Sequence, residues 1–183
     1  MTAKTYWNSL TNVVPYFVSH AFPDAPMSTN DSKYPVVIYT HGLADGLSEG
    51  GTAAEACRTN DQIKAAVLLD AYLDPLPNLL KLGLQKPFLA MNSPSSGLAG
   101  SNLTLFNRAT NNAYILQILK SQHETFTDQA WITQHTSAAR QAGQTKTACL
   151  ISFFNKHFKD QDDHLLDVPT NTYANIISFR RKP

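Results

Sequence analysis

Three side chains of this sequence have the types and the order needed for nucleophilic catalysis: a serine, an aspartate and a histidine. Residues 46–50 read Gly-Leu-Ser-Glu-Gly and match the G-x-S-x-G pattern, which places Ser48 on a sharp turn between a strand and a helix. A serine hydroxyl is a weak nucleophile and needs a base that an acid orients. Asp70 and His123 follow in the chain order Ser, Asp, His. The pattern predicts acyl transfer through Ser48.

Each of the three residues also has an ordinary structural interpretation. Ser48 could cap the following helix, Asp70 could form a turn, and His123 could be an exposed loop histidine. Asp74 is the rival for the acid, although Pro75 after it favours a turn. The other histidines are predicted to be structural or exposed: His20, His135, His157 and the histidine of the hydrophilic loop 162–164, which offers no second set of metal ligands.

Backbone amides near the serine are candidates for stabilising a tetrahedral oxyanion. The tripeptide His-Gly-Leu that ends at Leu43 is similar to the oxyanion loop of esterases. The amides of Leu43 and of Glu49, the residue after the serine, would be the two donors that the oxyanion needs. Tyr72, Trp131 and Phe126 are candidates for the walls of a substrate pocket, with the core as the alternative for each. No substrate-binding residue is assigned.

The elements that would position these residues are short apolar runs that alternate with helical segments. Predicted strands cover 35–40, 63–69, 87–91 and 113–119, and predicted helices cover 52–58, 103–108 and 137–158. This alternation indicates an α/β fold with a mostly parallel sheet and helices on both faces. Ser48, Asp70 and His123 each follow the end of a predicted strand, and ligands bind at that edge of open α/β sheets.

Composition predicts one globular domain over all 183 residues, with 1–33 as an irregular lead-in. The net charge of +1 and the scattered basic residues indicate no nucleic-acid partner, and 180–182 are predicted to be a frayed, solvated end. Cys57 and Cys149 lack disulfide or metal spacing and are expected to be buried. We expect no transmembrane segment and, without a signal peptide, a cytoplasmic location.

Several stretches of the sequence, taken together, resemble one known family. The sequence resembles the platelet-activating-factor acetylhydrolase family of α/β-hydrolases, particularly bacterial members grouped with dienelactone-hydrolase-like esterases. The resemblance covers nearly everything from Tyr34 onward, in the right order. The matching stretches are 34–43 (YPVVIYTHGL), 46–57 (GLSEGGTAAEAC), 63–72 (IKAAVLLDAY), 86–93 (KPFLAMNS), 121–128 (SQHETFTD), 152–158 (SFFNKHF) and 162–167 (DDHLLD).

The resemblance implies a serine carboxylic ester hydrolase that needs no metal and no other cofactor. By this resemblance Ser48 is the nucleophile, Asp70 the orienting acid and His123 the general base. The implied partners are small-molecule esters or phospholipids, from which short-chain acyl groups would be removed, as in lipid degradation. The resemblance does not identify the acyl group or the oligomeric state.

The sequence departs from the family between the oxyanion loop and the serine. In the family a long segment with two strands separates them, whereas only Ala44 and Asp45 stand between Leu43 and Gly46 here. The expected fold is therefore a truncated α/β-hydrolase, in which the strand at 36–40 could replace the missing strand before the serine. The alternatives are a catalytically inactive deletion form that acts as a binding or non-functional protein, and a lyase or other hydrolase that reuses the turn.

Overall fold

The computed structural model of the protein describes residues 4–7, 16–19, 49–74, 76–96, 100–127 and 136–183. Two compact units are present, residues 1–37 and residues 38–183. The first contains an antiparallel pair of short strands, β1 (Lys4–Trp7) and β2 (Tyr16–Ser19), with Lys4 opposite Ser19. The predicted irregular lead-in thus contains a strand pair that the sequence analysis missed, because four-residue strands are too short to show an alternating pattern. The assignment of one domain to the whole chain stays a prediction.

The second unit contains a four-stranded sheet in the order β3-β4-β5-β6. The strands β3 (Ala66–Leu69), β4 (Phe88–Asn92) and β5 (Ala113–Ile118) are parallel, and β6 (Ile176–Lys182) is antiparallel to β5. Ala66 lies opposite Phe88, and Phe88 lies opposite Ala113. The carboxyl ends of the three parallel strands therefore lie at one edge of the sheet.

In the part of the chain that the structure describes, four helices and two short 3-10 turns connect and cover these strands. The helices are α1 (Glu49–Thr59), α2 (Pro77–Leu82), α3 (Ser101–Arg108) and α4 (Ser137–Lys159), and the 3-10 turns are His123–Phe126 and Pro169–Asn171. Helix α4 begins after Thr136, whose hydroxyl accepts a hydrogen bond from the Ala139 amide at 3.1 Å. No described helix combines the length and the apolar character that a membrane-spanning helix needs.

Side chains alternate between two apolar clusters, one on each face of the sheet. Phe88 and Ile115 pack on one face with residues of α1, α2 and α3, while Leu89 and Tyr114 pack on the other face with residues of α4. Because both faces are buried, the parallel strands are almost entirely apolar in sequence. The predicted α/β class, with a mostly parallel sheet and helices on both faces, is confirmed.

The structure corrects the prediction for the C-terminal residues. Arg180, Arg181 and Lys182 do not form a frayed end, because they belong to β6 and pair with Ile115, Tyr114 and Ala113. Charged side chains are common on edge strands, where they discourage pairing with another chain, and this composition obscured the strand. The sequence analysis also missed α2. The predicted strand at 35–40 lies outside the described residues.

Both cysteines are buried, as predicted, and both are free thiols. Burial raises the pKa of the Cys57 thiol, and burial together with nearby Asp163 raises the pKa of Cys149 to about 12. Only the thiolate is a good nucleophile, so we expect neither thiol to react rapidly with Ellman's reagent near pH 8 in the folded protein. In concentrated guanidinium chloride both should react. Rapid labelling of either cysteine under native conditions would contradict the buried positions.

Candidate active site

Asp70 lies immediately after β3, at the carboxyl edge of the sheet. Its amide donates a hydrogen bond of 2.7 Å to the Met91 carbonyl, which continues the pairing of β3 with β4 by one residue. Its φ of 51° lies in the left-handed region, which aspartate tolerates better than most residues. The sharp change of backbone direction ends the strand at this residue.

The carboxylate of Asp70 is buried and accepts two hydrogen bonds. Its side chain is 2% exposed, Oδ1 accepts from the Ser93 amide at 2.7 Å, and Oδ2 is 3.0 Å from His123 Nδ1. Burying a carboxylate is costly unless such bonds replace its water. An ionised carboxylate can only accept, so His123 Nδ1 donates to it. In a neutral ring Nε2 then has a lone pair and can act as a base.

A short, internally bonded turn carries His123. After β5 ends, Ser121 Oγ donates to the Ile118 carbonyl at 2.7 Å. The Gln122 amide donates to Thr125 Oγ1 at 2.9 Å, which forms half of a capping box around the first turn of the 3-10 helix. The histidine begins that helix, and its side chain is 61% exposed. The ring is thus held at Nδ1 and open to solvent elsewhere.

The same 3-10 helix is anchored to α4. Phe126 is buried in the apolar cluster between the sheet and α4, so the structure places this pocket-wall candidate in the core. The buried Lys146 of α4 extends its Nζ to the Thr125 carbonyl at 3.2 Å. A lysine beside the last carbonyls of a helical turn interacts favourably with their partial negative charge. Both contacts fix the segment that carries His123.

The rival acid Asp74 interacts with a different residue. A hydrogen bond with the Asp74 carboxylate raises the pKa of the Tyr72 hydroxyl. Tyr72 is 54% exposed and lies at the surface two residues after Asp70. Of the two aspartates that the sequence analysis considered, the structure therefore brings Asp70 to His123.

Helix α1 packs closely against the segment that follows Asp70. A Cβ atom added at Gly51 would lie 2.6 Å from Leu76 Cδ1 and 3.3 Å from the Tyr72 carbonyl oxygen. A side chain at this position would require Leu76 and the backbone at Tyr72 to shift, so the glycine permits the close approach. Glu49 begins this helix, and the first amides of an α-helix have no partner within it. The N-terminal turn of α1 and the Asp70 turn are therefore neighbours.

Several predicted site residues lie outside the described residues, and the structure therefore places only part of the predicted set. Those outside are Leu43, Ser48, Trp131, His20 and His135. Among the described residues, Asp70 and His123 are brought together. His157, predicted to be either structural or exposed, packs its ring 4.6 Å from that of Phe153, and burial lowers its pKa.

Sequence reasoning missed two residues that help to hold the Asp70 carboxylate in place. Ser93 supplies the amide that binds Asp70, and Gln117 Nε2 donates to the carbonyls of Ser93 and Pro94 at 3.2 and 3.4 Å. These bonds connect the ends of β3, β4 and β5. The sequence signal for these residues is the polar stretch after β4, which by itself predicts only a loop.

The loop 162–167 contains a cluster of potential metal ligands, and basic side chains of the protein pair with its carboxylates. Ligand atoms of Asp162, His164 and Asp167 lie within 4.8 Å of one another. Lys156 Nζ is 2.6 Å from Asp162 Oδ2, and Arg181 Nη1 is 2.5 Å from Asp167 Oδ1. The hydrogen bond from Lys156 lowers the pKa of Asp162. These ion pairs give the carboxylates a structural explanation.

The protein thus belongs to the α/β class, and the polar pair Asp70–His123 lies at the carboxyl edge of its sheet. Neither a protein-family model nor a curated protein matches the sequence. Among solved structures, the chain is similar to a ferulic acid esterase from Streptomyces cinnamoneus, with 22% sequence identity and a TM-score of 0.57. The match covers 73% of this chain and 44% of the esterase, so the chain spans less than half of that protein's length. The likeness shows a shared fold.

Proposed function

We propose that the protein is a serine carboxylic ester hydrolase that works through an acyl-enzyme, with Ser48 as nucleophile, His123 as general base and Asp70 as the orienting acid. The observation that carries the proposal is the buried Asp70 carboxylate, 3.0 Å from Nδ1 of a histidine 53 residues away. A carboxylate at this position fixes the tautomer and the orientation of the imidazole, which is the task of the acid in a serine triad.

The neighbourhood of α1 supports Ser48 as the third member. The serine directly precedes Glu49, the first residue of α1, as the G-x-S-x-G pattern requires of a nucleophile at a strand-to-helix turn. Gly51, three residues after the serine, lies against the backbone that follows Asp70. A nucleophile at this end of α1 would therefore be near the acid and its histidine.

The proposed mechanism gives the serine, the histidine and the aspartate distinct tasks. Ser48 Oγ attacks the ester carbonyl while His123 Nε2 takes its proton, and the amides of Leu43 and Glu49 stabilise the oxyanion. The imidazolium then protonates the leaving alcohol, and an acyl-Ser48 ester remains. Water, deprotonated by His123, then attacks this ester. The carboxylic acid product leaves, and Ser48 regains its proton from His123. Asp70 stays ionised and stabilises the imidazolium throughout.

The substrates that we propose are short-chain acyl esters or acyl groups of phospholipids. This choice rests on the resemblance of the sequence to the platelet-activating-factor acetylhydrolases. The fold shared with a ferulic acid esterase supports ester chemistry more generally. No metal or other cofactor takes part in the proposed steps.

One observation favours a second candidate, a catalytically inactive deletion form that binds ligands or partners. Only Ala44 and Asp45 separate Leu43 from Gly46, so the oxyanion amide and the nucleophile would come from one short stretch of chain. A displacement of about 1 Å in a catalytic group can lower the rate about 100-fold. A site assembled in this way could keep the Asp70–His123 pair and still lack activity.

A fluorophosphonate probe separates the two candidates. The probe reacts only with an activated serine, so we expect stoichiometric labelling of the protein and a modified peptide that contains Ser48. Ser48→Ala should abolish labelling, whereas Ser96→Ala, at an exposed serine, should keep it. A folded sample that resists labelling would refute the esterase and favour the inactive form. Hydrolysis of p-nitrophenyl esters of increasing acyl length then defines the preferred chain.

A further inference from the structure

A pair of buried asparagines links α3 to the ends of β3 and β4. Asn102 of α3 is 5% exposed, and its Nδ2 donates to the Ala71 carbonyl at 3.1 Å and to Asn92 Oδ1 at 3.3 Å. Asn92 is the last residue of β4 and is 0% exposed. Ala71 directly follows Asp70. The asparagine pair therefore reaches the acid's turn from the side of α3.

The chemistry of the partners determines how both carboxamides are oriented. A carbonyl oxygen can only accept, so Asn102 must present Nδ2 to Ala71, and Asn92 must then present Oδ1 to that same Nδ2. In this arrangement Asn92 Nδ2 and Asn102 Oδ1 have no hydrogen-bond partner among the described residues. Unpaired buried polar atoms destabilise a fold, and apolar residues at both positions 92 and 102 would remove these two atoms. Packing alone therefore does not explain the two buried asparagines.

The contact acts on a backbone that is already in an unfavourable conformation. Asp70 has a φ of 51°, and its amide and Oδ1 are held only from the side of β4, by Met91 and Ser93. The bond from Asn102 to the next carbonyl adds a restraint from α3. Restraint by two elements, β4 and α3, favours one backbone direction, and with it the direction of the carboxylate.

We propose that Asn102 is a positioning residue that holds the Asp70 turn in the conformation in which the carboxylate meets His123 Nδ1. The catalytic meaning of this role rests on the proposed function, in which His123 is the base. The hydrogen bond itself can be tested without any activity.

The tautomer of His123 reports the position of the carboxylate directly. Neutral histidine in water has its proton mostly on Nε2, whereas a carboxylate at Nδ1 holds the proton on Nδ1. Nitrogen-15 spectra of histidine-labelled protein, at a pH at which the rings are neutral, distinguish the two forms, and His123→Gln identifies the signals. We expect the Nδ1–H form in the wild type and a mixture of tautomers in Asn102→Leu. The esterase kcat should fall by about 100-fold in the same variant.

Asn175→Leu is the matched control. Asn175 is also buried, and its Oδ1 accepts from Thr145 of α4 at 2.9 Å, so its loss should leave the His123 tautomer unchanged. An unchanged Nδ1–H form in folded Asn102→Leu would overturn the proposal. Should that variant fail to fold, hydrogen exchange of the wild-type Asn102 carboxamide decides: slow exchange is expected, and exchange as fast as that of an exposed asparagine would overturn the proposal. If Asn102→Leu shifts the tautomer but the wild-type protein hydrolyses no ester, the proposed function is refuted and the positioning role stands.

Discussion

Asp70→Asn should lower kcat for ester hydrolysis about 10⁴-fold while the protein stays folded. Asparagine has the same shape and can still accept the hydrogen bond from the Ser93 amide through Oδ1. Its other atom becomes an amide nitrogen, which donates to His123 Nδ1 and moves the ring proton to Nε2. A protonated Nε2 cannot accept the proton of Ser48. Initial rates of p-nitrophenyl acetate hydrolysis at saturating substrate measure the effect.

The neighbouring aspartate provides the control for this experiment. Asp74 hydrogen-bonds the exposed Tyr72, so Asp74→Asn should change kcat less than about twofold. Circular dichroism and urea unfolding establish that both variants are folded. A loss of less than about tenfold in Asp70→Asn, or a large loss in Asp74→Asn, would show that Asp70 is not the orienting acid.

Phe153→Ala should lower the free energy of unfolding by about 3–5 kcal/mol. Phe153 is 0% exposed and packs its ring 6.1 Å from Tyr114 and 4.6 Å from His157, between α4 and the sheet. Truncation removes the apolar contacts and leaves a cavity that the sheet cannot collapse to fill. Since domains of this size are stable by only about 5–15 kcal/mol, the variant should unfold at a much lower urea concentration.

An exposed residue of the same helix serves as the comparison. Ile151 is 53% exposed, so Ile151→Ala should change the unfolding free energy by about 0.5 kcal/mol or less. Urea titrations followed by fluorescence, with equal slopes for the variants, give the differences. Similar values for Phe153→Ala and Ile151→Ala would contradict the assignment of α4 to the apolar cluster on this face.

The three parallel strands could be predicted because burial on both faces imposes a simple sequence pattern. The run that ends at Leu69 and the run from Ala113 to Leu116 are continuously apolar, and the structure contains a strand in each. β6 lacks that pattern, because its charged residues lie on the edge of the sheet and only its pairing with β5 makes it a strand. The start of α1 was predicted at residue 52 and lies at Glu49, because Gly50 and Gly51 have low helix propensity and tertiary contacts override it.

Chain order and strand ends predict Asp70 and His123 as the acid and the base, but they do not predict the residues that hold these two side chains in place. Sequence alone leaves Asp70 and Asp74 as alternatives, and the contact of Asp70 with His123 separates them. Asn102 carries no local signal at all, because its partners Ala71 and Asn92 come from other elements and depend on how α3 packs. Residues that act through tertiary contacts of this kind are invisible to periodicity and motif.

The most direct test of the account is the distance between Ser48 Oγ and His123 Nε2 in crystals of the protein. We predict a separation of roughly 2.6–3.2 Å, the reach of a hydrogen bond between a nucleophile and its base. Such a contact would complete the chain from the hydroxyl through the imidazole to the buried carboxylate. A hydroxyl directed away from the ring, beyond the reach of any bridging water, would contradict catalysis by Ser48 and leave only the fold in common with esterases.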